Sequence, residues 1–117
     1  MRRGDIYRVA ESTTGDATRY RLFLVVSRQA LLDSQHSTAV CAPVYSTRIG
    51  LSTEVPVGAA EGLRQDGSVH CDVLMSLPKS RLTHRIGGLA AARFPALDRA
   101  LVSALGLAPE IVLPAHS

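Results

Sequence analysis

An imidazole and a carboxylate, His70 and Asp72, stand two residues apart in the stretch 66–75. An Asp-Gly turn dipeptide opens this stretch, and the residues after it alternate between apolar and polar side chains. The alternation predicts one strand whose apolar face carries Val69, Cys71 and Val73. Side chains two positions apart on one strand face lie about 7 Å from each other at a rise of about 3.3 Å per residue. Histidine has an unperturbed pKa of about 6.5, so this pair is suited to proton transfer near neutral pH.

A second candidate residue, Arg21, stands at the polar mouth of residues 20–27, a nearly continuous apolar run. Such a run predicts a central strand that is buried on both faces. A guanidinium stays charged and can hold a phosphate by two donors, which favours stabilisation of a developing anion. The alternative is that Arg21 only caps a strand end in water.

The rest of the chain predicts the elements that position these groups. Short strands are expected at 3–9, 20–27, 37–45, 53–57, 66–75 and 83–89, and a mobile hairpin loop at 11–18 because that segment has no large apolar side chain. A helix is predicted near the C-terminus, since apolar residues recur there at helical spacing, at Phe94, Leu97, Leu101 and Leu105. Pro95 should lie in its first turn and Gly106 should end it. Short strands with one terminal helix favour a small, curved antiparallel sheet or open barrel.

Composition sets the broad class of the protein. The chain has 117 residues, 46% of them apolar, which suits one domain with a single core. Thirteen basic against ten acidic residues give a net charge of +3, which permits an anionic partner. No run approaches the roughly twenty apolar residues of a membrane span, and the N-terminus does not read as a signal sequence, so a cytoplasmic protein is expected. Cys41 and Cys71 are expected to be buried free thiols, without metal-ligand spacing around them.

Ten short segments between residues 3 and 107 match one known protein family in their order and spacing. They are Arg3-Gly4-Asp5-Ile6-Tyr7, Leu24-Val25-Val26-Ser27, Ala42-Pro43-Val44, Gly50-Leu51, Thr53-Glu54-Val55-Pro56, Cys71-Asp72, Lys79-Ser80-Arg81-Leu82, Arg85-Ile86-Gly87, Leu97-Asp98-Arg99-Ala100-Leu101 and Ala104-Leu105-Gly106-Leu107. Together they resemble the MazF/PemK toxins of bacterial toxin-antitoxin pairs. The resemblance implies a mainly β, SH3-like antiparallel barrel with a C-terminal helix over residues 1–107, followed by a frayed tail at 108–117. It also implies a homodimer that cuts single-stranded RNA without a metal or cofactor and is inhibited by the disordered tail of a cognate antitoxin.

The resemblance assigns roles to individual residues. Arg21 occupies the position of the main catalytic arginine, and Tyr45 stands where the family usually has a catalytic threonine. Asp72 matches a catalytic aspartate, and His70 replaces an arginine of plasmid-borne relatives. The predicted RNA contacts are Arg19, Ser46, Thr47, Arg48 and Asp16. His84 and Arg85 are expected on a solvated face.

Two other functions stay open on the sequence. The first is a non-catalytic barrel relative, such as a gyrase poison of the CcdB type, and the second is a toxin-like RNA-binding protein that does not cleave. After Cys-Asp the family often has a glutamine and an arginine two residues apart, where this chain has Val73 and Met75. The departures at Tyr45 and Met75 favour a binder. The C-terminal residues 115–117 lack the aromatic and acidic end that is typical of CcdB-like poisons.

Overall fold

Antiparallel strands in one sheet make up most of the part of the chain that the structure, a computed structural model, describes, residues 1–11 and 19–108. The seven strands found there are β1 (Asp5–Ala10), β2 (Tyr20–Val25), β3 (Thr38–Tyr45), β4 (Glu54–Val57), β5 (Gly67–His70), β6 (Met75–Pro78) and β7 (Arg85–Gly88). The helices are a single turn, α1 (Gln29–Leu32), and the longer α2 (Phe94–Leu105). The predicted tail at 108–117 and the loop at 11–18 lie outside the described residues, except for Glu11 and Ala108.

The long strand β3 organises the sheet. The strand order is β4-β5-β3-β2-β1-β7, and β6 also pairs with β3. β2 covers one edge of β3, while β6 and β5 share the other edge at residues 38–41 and 44–45. The resulting half-barrel, with α2 at its end, confirms the predicted fold class, a mainly β, SH3-like antiparallel barrel with a C-terminal helix.

Apolar side chains are buried on both faces of the sheet. Ile6, Leu24, Val69 and Leu97 belong to one core, between the sheet and α2, and a second core on the other face contains Phe23. Residues 23–25 of β2 are all buried, which confirms the prediction of a central strand. Burying an apolar side chain of this size stabilises the fold by about 1.5–3 kcal/mol.

Helix α2 follows its predicted pattern. Pro95 lies in the first turn, where its missing N–H leaves no bond unmade. Gly106 adopts the left-handed conformation at φ 66° and ends the helix, with its N–H bonded to carbonyls of the last turn. Leu97, Ala100 and Val102 are buried, and the helix packs on β4 and on the turn after β5.

The prediction of one strand over 66–75 was wrong. The strand ends at His70, and residues 71–73 form a 3-10 turn before β6 begins at Met75. Val44 pairs with Val69, and Cys41 pairs with Met75. Between these two pairs β3 advances by three residues, whereas the segment that faces it advances by six. The interruption falls beside Pro43, which lacks a ladder donor. Val73 is therefore 46% exposed instead of lying on an apolar face.

Both cysteines are buried and unpaired, as predicted. Burial raises the pKa of the Cys41 thiol to about 12 and that of the Cys71 thiol to about 11, so neither is ionised near neutral pH. Among the described residues no group of His, Cys, Asp and Glu side chains could hold a metal ion. Neither described helix has the length and apolar character needed to cross a lipid bilayer.

Candidate active site

Three predicted catalytic side chains, Arg21, Tyr45 and His70, lie in contact on the neighbouring strands β2, β3 and β5, near the C-terminal end of β3. Arg21 projects from the start of β2, Tyr45 is the last residue of β3, and His70 is the last residue of β5. The Arg21 Nη2 donates to the Tyr45 hydroxyl at 3.3 Å, and its guanidinium carbon lies 5.9 Å from the Tyr45 ring centroid. The rings of Tyr45 and His70 meet edge to face with centroids 4.8 Å apart. We call these three residues the cationic cluster.

The cluster combines an exposed cation with a sheltered imidazole. The Arg21 side chain is 45% exposed and lies 3.9 Å from the carboxylate of Glu11. The His70 side chain is only 14% exposed. Its Nε2 lies 3.1 Å from the Thr47 carbonyl, which can only accept, so the proton belongs on Nε2. The other ring nitrogen, Nδ1, lies 3.9 Å from Glu54 Oε2.

Glu54, at the start of β4, fixes the segment that follows Tyr45. Its Oε1 accepts hydrogen bonds from the backbone N–H groups of Ile49 and Gly50, both at 3.1 Å, and from the Ser68 hydroxyl at 3.4 Å. Burial alone would raise the pKa of this carboxyl, but the two backbone donors and His70 outweigh it and hold the pKa below its usual range. Glu54 is therefore a carboxylate at neutral pH. Sequence reasoning missed it, although a carboxylate inside the apolar strand Glu54–Val57 was a usable signal.

Asp72 takes a different position from the one that strand alternation predicts. It lies on the 3-10 turn, is exposed, and accepts a hydrogen bond from the Thr53 hydroxyl at 2.6 Å. The carboxylate beside His70 is that of Glu54. The predicted pairing of His70 with Asp72 on one strand face is thus not formed, because the strand ends between them.

The predicted RNA-binding residues lie near the cluster where the structure describes them. Ser46, Thr47 and Arg48 are exposed on the segment that Glu54 fixes, directly after Tyr45. Arg19 is exposed and precedes β2 by one residue. Asp16 lies outside the described residues. Their contacts with RNA stay predictions.

A cavity of about 660 Å³ opens beside the cluster, shares Tyr45 with it and is also lined by Ser46. Its other walls come from Arg8 on β1, the loop 62–67 and residues 84–86. His84 and Arg85 are exposed as predicted, but they border this cavity instead of an open surface. Sequence reasoning missed Arg8, because an arginine within an alternating strand gives no sign of what it faces.

The cluster has the groups that cleavage of a phosphodiester requires. A guanidinium can neutralise charge on a phosphate, a phenol can donate a hydrogen bond, and an imidazole can accept or return a proton. The three side chains lie together, and the exposed side chain of Arg21 makes the cluster accessible to solvent. The arrangement can therefore bind a phosphate and transfer protons beside it.

Comparisons with known proteins agree with this chemistry. Residues 2–105 match the family described as PemK-like, MazF-like toxin of type II toxin-antitoxin system. Endoribonuclease MazF3 of Mycobacterium tuberculosis is 38% identical over 87 residues, which cover 74% of this chain and 84% of that protein. The probable endoribonuclease MazF of Mycolicibacterium smegmatis is 33% identical over 110 residues, 92% of this chain and 99% of that one.

Solved structures give the same result. The Mycobacterium tuberculosis toxin MazF-mt6 superposes with a TM-score of 0.77 at 32% identity, covering 89% of this chain and 98% of that one. A mycobacterial endoribonuclease solved in complex with its cognate antitoxin has a TM-score of 0.77 at 27% identity, covering 91% and 95%. From this match over nearly its whole length, the chain belongs to the PemK-like, MazF-like family of type II toxin-antitoxin toxins.

Proposed function

We propose that this toxin is a metal-independent endoribonuclease that cuts single-stranded RNA in the cytoplasm, with the 2'-hydroxyl of the substrate as nucleophile. The observation that carries the proposal is the contact of Tyr45 with both His70 and the exposed Arg21. The relatives named as endoribonucleases support it.

In the proposed reaction, the 2'-oxygen forms a bond to phosphorus while the bond from phosphorus to the 5'-oxygen breaks. A base takes the proton of the 2'-hydroxyl, and an acid gives a proton to the leaving oxygen. The products are a 2',3'-cyclic phosphate and a 5'-hydroxyl. Arg21 neutralises the charge on the pentacoordinate phosphorus, where electrostatic stabilisation is the largest contribution.

His70 and Tyr45 supply the proton transfers in this proposal. With its proton on Nε2, His70 has Nδ1 as the ring nitrogen that can take a proton, and the carboxylate of Glu54 lies 3.9 Å from this nitrogen. The Tyr45 hydroxyl accepts from Arg21 and so keeps its own proton available to a phosphate oxygen. Asp72 is exposed and held by Thr53, and its catalytic role stays a prediction.

A protein partner and a second copy of the chain belong to the same proposal. Structures of a mycobacterial relative and of MazE-MazF from Deinococcus radiodurans contain the antitoxin. We propose that the disordered tail of a cognate antitoxin binds this toxin, and that the toxin is a homodimer.

The proposed activity is tested with pure protein and a long single-stranded RNA in EDTA. Discrete fragments that end in cyclic or 3'-phosphates are expected. Arg21→Ala should slow cleavage by about 10²–10³-fold, the usual effect of removing one donor to a developing oxyanion. Arg99→Ala, on the exposed face of α2, is the matched control and should cut normally. RNA that stays intact although the protein binds it would contradict the proposal.

That last outcome would favour a toxin-like RNA-binding protein that does not cleave. The observation on its side is Tyr45, which stands in place of the usual threonine. No observation on the described residues favours a gyrase poison.

A further inference from the structure

The cavity beside the cationic cluster has an ordered floor. Arg8 of β1 lies opposite Leu22 of β2, which lies opposite Val44 of β3, so the three side chains form one row across the sheet. All three line the cavity. Its volume, about 660 Å³, falls within the range of about 300–1,000 Å³ that is typical of small-molecule sites. The floor thus places one cation beside two aliphatic side chains.

Arg8 has an unmet hydrogen-bonding need. Its Nε is buried and has no hydrogen-bond partner among the described residues. Its guanidinium carbon stacks 4.2 Å from the ring centroid of Tyr20, and its backbone N–H is bonded to the His84 carbonyl. A buried N–H without an acceptor is destabilising unless something supplies one. The part of the Arg8 guanidinium that lines the cavity can donate to a ligand with an anionic oxygen.

The walls point to the same class of ligand. Arg64 lies on the exposed loop 62–67, and Arg85 borders the cavity while it is held at 2.9 Å by Asp5. One acidic side chain, Asp66, borders the cavity against three arginines. An aliphatic floor with arginines around it suits a planar base that carries a phosphate, that is, a nucleotide.

We propose that this cavity is a subsite for one RNA nucleotide next to the scissile bond, with its base on Leu22 and Val44 and its phosphate on Arg8. The cavity shares Tyr45 with the cationic cluster, so its occupant adjoins the reacting phosphate. The proposal rests on the proposed function. It adds Arg8 as a phosphate-binding residue, and Leu22 on the floor as a residue that contacts the base and sets the sequence preference. Nothing in the sequence pattern around Arg8 indicates this role.

Binding without cleavage gives the first test. The probe is a fluorescein-labelled single-stranded DNA decamer of mixed sequence, which lacks the 2'-hydroxyl and cannot be cut. Arg8→Met should raise Kd about tenfold and reduce the salt dependence of binding by about one unit, as expected for one lost phosphate contact. Arg99→Met, outside the cavity, should bind like the unaltered protein.

A second variant covers the case in which Arg8→Met does not fold. Arg64→Ala changes an exposed loop residue on the opposite wall and should weaken binding in the same direction. Unchanged binding by both Arg8→Met and Arg64→Ala overturns the proposal. The proposal is also overturned if these two variants bind a poly-glutamate peptide more weakly but bind the DNA as the unaltered protein does. The cavity would then be a binding site for an acidic protein segment.

The second test reads the preference at each position. RNA of random sequence is cut by each protein, and the ends of the fragments are sequenced. Leu22→Ala, which changes the floor under the base, should lose the preference at one position beside the cut, and Arg99→Met should keep it. Cleavage by Leu22→Ala with the original preference overturns the subsite and leaves the proposed function intact. If the unaltered protein binds but does not cut, the proposed function fails, and the binding test alone then decides for or against the subsite.

Discussion

At the scale of the residue, Tyr45 decides how the cationic cluster differs from a site built on threonine. Its hydroxyl accepts from Arg21, and its ring meets the His70 ring in an edge-to-face contact. A phenol reaches farther from the strand than a threonine hydroxyl and is fixed by stacking. Arg21 and His70 therefore fix the position of the Tyr45 hydroxyl, which the backbone at the end of β3 would not fix alone.

Removing that hydroxyl should separate catalysis from binding. Tyr45→Phe keeps the ring contact and loses the donor, so we expect cleavage in EDTA to fall by about 10²-fold while RNA affinity stays within about twofold. Tyr45→Thr should restore part of the rate, because threonine again offers a hydroxyl. Cleavage by Tyr45→Phe at the full rate would show that the phenol takes no part in the reaction.

Glu54 makes the folded protein less stable as the pH falls. Its pKa in the folded protein is lowered, so its carboxylate stabilises the fold above the ordinary value of about 4.3, and this contribution is lost as pH falls through the folded pKa. Glu54→Gln should therefore lower the free energy of unfolding at pH 7 and have a smaller effect at pH 3. Urea denaturation at both pH values measures this. Asp33→Asn, which changes an exposed carboxylate directly after α1, is the control. An equal Glu54→Gln effect at both pH values would contradict the assignment.

At the scale of the element, glycines let the loop 62–67 approach β7 and close the cavity. A Cβ on Gly87 would collide with the Glu61 carbonyl oxygen and meet the Gly62 Cα at 3.2 Å. The carboxylate of Glu61 holds this backbone in place, because it accepts hydrogen bonds from the Gly58 N–H and from Arg93. The backbone at Glu61 and Gly62 cannot move aside without breaking those hydrogen bonds.

Gly87→Ala should therefore be far more costly than a glycine substitution in open space. We expect a loss of about 3 kcal/mol or more, the upper end for overpacking, measured by urea denaturation. The control is Gly50→Ala, where φ is +91° but no atom lies within 4 Å of the added Cβ. Its cost should be about 1–2 kcal/mol, from backbone strain alone. Equal effects of the two substitutions would show that the loop yields easily.

At the scale of the whole molecule, exposed apolar side chains gather around the C-terminal half of α2. Leu105 is 58% exposed and Leu107 44%, and the nearby Val73 and Leu51 are 46% and 49% exposed. The Ser52 and Ser103 hydroxyls lie 3.0 Å apart, which joins the segment before β4 to the helix, and the turn with Val73 also packs on α2. An apolar surface of this kind is typical of an interface, and it supports the proposed homodimer.

The homodimer is tested at this surface. Leu105→Glu places a charge on it without touching the buried core, so we expect a stable monomer where the unaltered protein is a dimer. Light scattering after size-exclusion chromatography gives the mass, and a thermal melt checks the fold. Ala92→Glu, exposed on another turn, should remain dimeric. A dimer that survives Leu105→Glu would place the interface elsewhere.

The sequence by itself determined the local elements and the class of the fold. Period-two alternation located β1, the apolar run located β2, and the spacing from Phe94 to Leu105 located α2 between Pro95 and Gly106. These signals depend on neighbours within one or two turns of chain, so they can be read without the partner strands. The burial of Cys41 and Cys71 follows from the same patterns.

Only the tertiary structure decided which groups meet. The strand after Gly67 ends at His70 because β3 changes partner beside Pro43, and this brings Glu54 and not Asp72 to the imidazole. Arg8 faces a cavity because β2, β3 and the loop 62–67 surround it. Contacts of this kind join residues far apart in the chain. Their geometry depends on which strands pair with each other, and the local sequence pattern does not encode that pairing.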